Sequence, residues 1–241
     1  MRVLALDTAT EACSVALLTD SGLVGRFAEV GRGHAEQILG MVDAVLAEAE
    51  VSLSMLDGIA ASIGPGAFTG VRISVAVAQG LAFGAGLPVV QVTTLEALAL
   101  QAVQGGAHHA LACLDARMGE VYWGCFAADA ARAVIACGTL QVSPAAAVRL
   151  SGAGAYRGIG RGFAAYPELA ALPGLELDLR DSRALPDARD MARLGTIRLL
   201  RGEGMDPADL KPQYLRDKVA LTESERAAHE GAARRDGPPR N

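Results

Sequence analysis

Several signals that assign a function quickly are missing from this sequence. The four cysteines, Cys13, Cys113, Cys125 and Cys137, form no C-x-x-C pair and have no histidine at zinc spacing. That removes structural zinc and dithiol redox motifs and leaves buried or half-buried thiols in a reducing compartment. No run reaches the roughly 20 uninterrupted apolar residues of a membrane span. The apolar start, MRVLALDTATEACSVALL, is broken by Asp7 and Glu11 before it reaches the length of a signal h-region. A cytoplasmic chain without membrane contact is expected. An excess of positive charge is missing too: 22 Lys and Arg stand against 27 Asp and Glu, a net charge of -5. Phosphate contacts need a basic surface, so any role on RNA has to lean on a partner. There is no G-x-S-x-G elbow, and none of the four histidines has a Ser or Cys nearby in a pattern that indicates a triad. His108 and His109 open a strand, where exposure is expected.

What is present is a foldable chain of 241 residues, 51% hydrophobic and 20% charged, enough for one large or two small domains. Residues 2 to 7, 13 to 18 and the GLVGRFAEV segment read as a three-stranded antiparallel meander. In HAEQILGMVDAVLAEAE the apolar residues Ile38, Met41, Val42, Val45, Leu46 and Ala49 recur at three- and four-residue intervals, which predicts a helix packed on the meander. Asp57-Gly58 turns the chain into the strand IAASI, a glycine loop follows, and VRISVAVAQGLAFGAG predicts a buried helix that ends in glycines. LPVVQV is the next strand, and Thr93 with Glu96 forms a capping box for LEALALQAV.

The second half repeats this order. HALACLDAR and GEVYWGCFAA make a hairpin about Arg117 to Gly119, RAVIACGTLQV supplies a third strand, and Ser143-Pro144 signals a helix start. GAYRGIG reads as another strand and glycine turn. Pro167 to Pro186 is irregular, and ARDMARLGTIRLL returns to helical spacing. A meander followed by alternating helices and strands, written twice, predicts two similar lobes with a cleft between them. The lobes are placed at 1–105 and 106–188, with a helical segment around 189–216 packing back on the first. The polar tail, 223–241, is expected to be disordered.

The loop ASIGPGAFTGVRIS, Ala61 to Ser74, meets neither standard phosphate motif. A Walker A run fails in both registers, because Gly64 would need glycine at Thr69 and Gly66 would need it at Val71, and the loop has no lysine. The dinucleotide fingerprint fails by one residue, with Gly70 where Thr69 should be glycine. What remains is a strand, a glycine turn and a helix start with Thr69 as the expected N-cap and Arg72 in the first turn. That arrangement holds an anion, or it lets a helix sit close against a sheet or a partner. The residues alone leave both open.

Five ordered motifs, ALDTATEACSVAL, GPGAFTGVRIS, TTLEALA, DARMGEVYWG and KPQYLR, together resemble the TsaB (YeaZ) family, the non-catalytic partner in bacterial threonylcarbamoyladenosine synthesis on tRNA. The match runs from Val3 to Arg216. The resemblance implies an α/β protein with the two-lobed ASKHA (actin and Hsp70-like, ribonuclease H-like) fold, in which a βββαβαβα pattern is duplicated and the second lobe reduced. It implies a TsaD-like transferase as partner, a TsaE-like ATPase that joins them, tRNA reached through the complex, and ATP and metal carried by the partners rather than by this chain. It also allows a homodimer when the chain is alone.

Two features favour a scaffold over an enzyme. TsaD-like enzymes bind metal through a His-x-x-x-His pair on the first helix, but His34 is followed four residues on by Ile38, and one imidazole does not make that site. The absence of that pair also counts against a metallopeptidase of the related M22 type. In the first hairpin, Asp7-Thr8-Ala9-Thr10 keeps an acid and hydroxyls but has Ala9 where close approach of phosphate favours glycine. Asp7, Thr10, Gly64, Gly66 and Thr69 are therefore read as a vestigial nucleotide site, with no catalytic residue and no metal ligand assigned. The partner surface is assigned to the first helix and the Gly70 to Phe83 helix through His34, Ile38, Met41, Val45, Gly70, Val71, Arg72, Val75 and Gln79. Asp115 and Arg117 fall at a hairpin tip and take a cleft role by the resemblance, and Tyr214 and Arg216 anchor the C-terminal segment. The alternative is an ATP-dependent kinase of the same fold that uses Asp7 and the glycine loop.

Overall fold

The computed structural model describes residues 1–130, 133–152 and 154–216; the tail read as disordered lies outside them. The first sheet is built on β1 (Val3–Asp7), flanked by β2 (Ala12–Thr19) and, beyond it, β3 (Gly22–Glu29), both antiparallel. On its other side β1 pairs in parallel with β4 (Gly58–Ser62), which pairs in parallel with β5 (Val89–Val92), giving the order β3-β2-β1-β4-β5. Side chains of a strand alternate between faces, so β1 serves two cores. Leu4 and Leu6 join Val15 and Leu17 under α1 (His34–Glu48) and α2 (Phe68–Ala85), while Val3 and Ala5 join Ala16 and Val90 under α5 (Ala188–Leu200). All five residues of β1 are buried.

Between β5 and the second sheet lies α3 (Thr94–Gln104), which packs on both. Its capping box forms as the sequence predicts: Thr93 Oγ1 accepts from Glu96 N at 3.1 Å, and Glu96 Oε2 accepts from Thr93 N at 2.8 Å. The second sheet centres on the hairpin of β6 (His109–Arg117) and β7 (Glu120–Ala128). β10 (Tyr156–Ile159) pairs in parallel with β6, β11 (Leu175–Glu176) in parallel with β10, and β8 (Val134–Ala136) antiparallel with β7, for an order of β11-β10-β6-β7-β8. A hairpin, a third antiparallel strand and two parallel strands thus occur twice in the same spatial order. This is the two-lobed ASKHA arrangement.

Three local expectations are corrected. α2 begins at Phe68, its N-cap is Ala67 without a side-chain cap, and Thr69 is an exposed first-turn residue rather than the cap. The position is set by Ala67, whose N–H is drawn to the Ala9 carbonyl at 2.7 Å before the helix starts. The third strand of the second lobe is two strands, β8 (Val134–Ala136) and β9 (Gln141–Pro144), each pairing with a different part of β7. Ser143-Pro144 does not start a helix. The Ser143 hydroxyl accepts from the Trp123 indole at 2.9 Å and donates to its neighbour's carbonyl, so it is not a cap, and only a 3-10 turn at Ala145–Ala147 follows. After Gly160 the chain forms α4 (Gly162–Ala165), a single helical turn.

α5 crosses back to cover the first sheet, with Ala188 N donating to Ser14 Oγ at 3.0 Å. Beyond it the chain straps across the same lobe: Met205 bridges Val89, the Gln79 amide donates to the Pro207 and Leu210 carbonyls, and Gln213 N donates to Ile63 O at 2.8 Å. Among the described residues α2 is the one helix long and apolar enough to cross a membrane. Its buried side chains Val75, Ala78 and Ala82 face the first sheet, and Val71 packs beside Gly64 of the glycine loop.

Candidate functional site

The turn from β1 to β2 and the glycine loop after β4 meet at the end of the first sheet, as an ASKHA nucleotide site would require. They meet in direct backbone contact. Ala67 N donates to Ala9 O, Thr8 Oγ1 donates to Gly70 O at 2.7 Å, and Thr94 binds the loop from the other side, N to Gly64 O at 2.9 Å and Oγ1 to Pro65 O at 2.6 Å. A Cβ on Gly66 would fall far inside 3.0 Å of the Ala9 carbonyl, and one on Gly70 equally close to the Thr8 carbonyl. The glycines are spent on contact between two backbones. A phosphate needs donors turned toward open space, and here hairpin and loop lie in direct contact, held by a loop N–H and loop carbonyls that are already paired. The hairpin and the loop thus leave no gap for a phosphate between them, and Thr10 and Gly66 line the cavity beside the junction instead.

Asp7 completes that picture. Its side chain is fully buried, Oδ1 accepts from Ala9 N at 2.9 Å, and Oδ2 makes no well-formed hydrogen bond among the described residues, with the Ser62 hydroxyl nearby. Burial pushes its pKa up to about 6, opposed by the Ala9 N–H and the nearby Ser62 hydroxyl and reinforced by Asp187. It holds the turn from inside the core and has no open face for Mg²⁺. Thr10, half-buried, accepts from Ala12 N at 3.2 Å.

A cavity of about 450 Å³ opens beside this closed junction, between the two lobes. Thr10, Glu11, Gly66, Asp115, Arg117 and Arg161 are among its lining, and Tyr214 and Arg216 close one side. Arg117, at the hairpin tip with φ 64°, pairs with Asp115 at 2.9 Å and reaches Glu11 of the other lobe at 3.5 Å. Arg161 spans the cleft to Glu29 at 2.7 Å, and Arg216 pairs with Glu120. The Tyr214 ring stacks on Phe68, whose other neighbour is the Arg72 guanidinium 3.4 Å from the ring centre. Sequence reading singled out Asp115, Arg117, Tyr214 and Arg216 but had no signal for Glu11, Glu29 or Arg161, whose meeting depends on how the lobes close.

The helices named as a partner surface divide sharply. Ile38, Val45, Gly70, Val71 and Val75 are buried in the chain's own core and leave nothing for a partner to touch. Met41 is partly buried against the same core. His34, half-buried, donates from Nε2 to the Thr10 carbonyl at 2.9 Å, and Gln79 is taken up by the C-terminal strap. Arg72 is exposed. What the helices do present is a set of positions that the sequence reading passed over. Leu39 is 52% and Phe83 60% exposed, and Gly40, Gly80 and Gly84 are solvent-facing helix residues whose Cβ would meet nothing among the described residues. On α2, Arg72, Ala76, Gly80 and Gly84 form one exposed i, i+4 row. Among the described residues no group of three or more His, Cys, Asp or Glu could hold a metal ion.

With this geometry in view, known proteins supply the context. A family model described as TsaD, tRNA N6-adenosine threonylcarbamoyltransferase, matches residues 22–172. The tRNA threonylcarbamoyladenosine biosynthesis protein TsaB of Escherichia coli (strain K12) is 40% identical over 230 residues, spanning 91% of this chain and 96% of its own length. The Haemophilus influenzae protein of the same name is 36% identical over 91% of this chain and 95% of its own. Among solved structures, YeaZ from Pseudomonas aeruginosa superposes with a TM-score of 0.83 at 40% identity, covering 89% of this chain and 99% of that one.

Proposed function

The chain belongs to the TsaB (YeaZ) family of tRNA threonylcarbamoyladenosine biosynthesis proteins, and on that premise we propose that it is the non-catalytic scaffold of its pathway. In this reading it binds and stabilises a TsaD-like transferase, a TsaE-like ATPase joins the pair, and tRNA is engaged through the complex. ATP and metal belong to the partners, and the threonylcarbamoyl group passes to adenosine next to the anticodon on the transferase.

The observation that carries the proposal is the exposed glycine row. Glycine inside a helix costs about 1 kcal/mol relative to alanine. A chain that places Gly80 and Gly84 in α2 and Gly40 in α1, with nothing beside them among the described residues, gains no packing there for that cost. A second helix approaching closely would supply the reason, since missing side chains let backbones meet and leave Leu39 and Phe83 as flanking apolar anchors. The same surface would serve a second copy of the chain when the transferase is absent. A kinase acting alone is disfavoured by the closed junction of Ala9, Gly66 and Gly70.

Calorimetry of the chain with the TsaD-like protein of the same source, and separately with ATP and Mg²⁺, tests the reading. Partner binding that weakens tenfold or more with Gly80→Leu, and no ATP heat, is the expected result. Micromolar ATP binding with turnover and no partner heat would overturn it.

A further inference from the structure

The cysteine spacing gives no redox signal in the sequence, yet the fold brings two of the four thiols together. β7 and β8 pair Phe126 with Ala136, Ala127 with Ile135 and Ala128 with Val134. One step further along, Cys125 stands opposite Cys137, and Cys137 N donates to Cys125 O at 2.8 Å. We propose that Cys125 and Cys137 are an oxidation site, a cross-strand thiol pair that forms a reversible disulfide by exchange with small-molecule disulfides of the glutathione class.

Directly opposed residues of a hydrogen-bonded antiparallel pair have Cα atoms about 5.5 Å apart, within the roughly 4.4–6.8 Å that a disulfide bridges. Both side chains lie against the same core cluster of the second sheet. The third thiol of that face, Cys113, is diagonal to Cys125, because Leu111 and not Cys113 is its register partner. Diagonal neighbours are about 7–8 Å apart, beyond bridging without movement of the backbone.

Access selects the order of events. Cys113 is fully buried and Cys125 nearly so, whereas Cys137 is partly open at the end of a three-residue strand. Burial raises the Cys137 thiol, and the Tyr156 hydroxyl beside it works in the opposite direction. Cys137, as thiolate, attacks one sulfur of the small disulfide and releases one thiolate, giving a mixed disulfide. Cys125 then loses its proton and attacks the Cys137 sulfur, and the second small thiolate leaves. The two protons of the protein thiols end on the two released small thiols, so two Cys–SH and one RSSR become one Cys–S–S–Cys and two RSH. The Cβ atoms of a hydrogen-bonded pair stand wider than the roughly 3.8 Å of an unstrained disulfide. Closure draws β8 inward at Gly138, which has φ 135° and, among the described residues, no neighbour at its Cβ position. A bond closed under such strain is readily reduced again.

The test is made on the full chain, equilibrated in reduced and oxidised glutathione, quenched with acid, and read by thiol count and non-reducing peptide mapping. Two of the four thiols should be lost together, one peptide pair should join Cys125 to Cys137, excess reduced glutathione should reverse it, and the rate should rise with pH. Cys125→Ser should stop at one glutathione on Cys137. A native chain that keeps all four thiols, carries glutathione on Cys137 without a link, or links Cys113 instead would overturn the proposal.

Discussion

The two sheets share one strand order, but their helices do not match. In the first lobe the third strand is followed by α1, 15 residues long, and the glycine turn by α2, 18 residues long. In the second lobe the same two places hold a three-residue 3-10 turn and the four residues of α4. What the lobes keep in common is the glycine turn itself. Gly66 and Gly70 press on the carbonyls of Ala9 and Thr8 at the end of β1, and Gly160 presses on the carbonyl of Cys113 in β6. A second sheet that closes with one helical turn shows that a glycine turn packs without a long helix behind it. The turn is a packing device in both lobes, while the length and the exposed face of α1 and α2 answer to something outside the sheet. Loss of the glycine contact should do the largest damage, and in both lobes alike. Gly70→Ala sets a methyl group against a backbone carbonyl that cannot swing away, and Gly160→Ala does so at φ 109°. Each should lower the unfolding free energy by about 3 kcal/mol in urea titrations. Tolerance at one site and not the other would break the parallel.

The aspartates of the two hairpins sharpen the comparison next. Asp7 Oδ1 accepts from Ala9 N at 2.9 Å, and Asp115 Oδ1 accepts from Arg117 N at 2.7 Å, the same turn built twice. Asp115 also has Arg117 and the Tyr166 hydroxyl as partners, but Asp7 Oδ2 has no hydrogen bond among the described residues and burial raises its pKa from 3.8 to about 6. Well below pH 3.8 the Asp7 carboxyl is neutral both folded and unfolded. Between pH 4 and 6 the folded chain keeps a proton that the unfolded chain has released, so stability from this group falls as pH rises. Above pH 6 the full cost is present, up to about 3 kcal/mol. Asp190, raised to about 6 chiefly by burial, acts in the same direction. Asp7→Asn keeps the acceptor for Ala9 N and should stabilise the chain by about 2 kcal/mol at pH 7.5 and by little at pH 4. Asp115→Asn should destabilise slightly at neutral pH, because it loses the Arg117 pair. Denaturation of both variants at the two pH values checks the signs.

The long helices supply the third test, with the opposite sign. Gly80→Ala fills open space on α2 and should raise the stability of the isolated chain by about 1 kcal/mol. The same change should weaken binding to the transferase, and Gly80→Leu should weaken it by tenfold or more, about 1.4 kcal/mol. Denaturation of the free chain and titration of the complex separate the two effects. If Gly80→Ala gained stability and left binding unchanged, the exposed row would not be the contact.

Much of this architecture was legible in the sequence, because β1, β2, β4 and β6 announce themselves by apolar runs and turn residues, and Thr93 with Glu96 marks a helix start by local chemistry alone. What local pattern does not carry is which face of a helix turns outward. Ile38, Val45, Val71 and Val75 were good helix-face candidates, yet they are the inward face, and the outward one is written in glycines that propensity treats as faults. The start of α2 was missed because Ala67 is fixed by Ala9, 58 residues earlier in the chain. Cys125 and Cys137 meet through strand register, which spacing along the chain does not display.

The contacts that join the lobes should matter least to stability. Arg117 and Arg161 of the second lobe both approach Glu11 of the first, at 3.5 and 4.0 Å, and Arg161 also pairs with Glu29 at 2.7 Å. All four side chains are at least 30% exposed, so water and salt screen them and each pair contributes less than about 1 kcal/mol. Glu11→Gln and Glu29→Gln should each move the urea midpoint only slightly, and less still in high salt. Their weakness has a structural consequence. α3, buried on both sides, already fixes the lobes through Leu95, Leu98 and Leu100, so the ion pairs trim the width of the cleft rather than hold the halves together. A double variant that loses several kcal/mol would instead make the cleft the weak joint of the molecule, and the two lobes would then have to be treated as separately unfolding units.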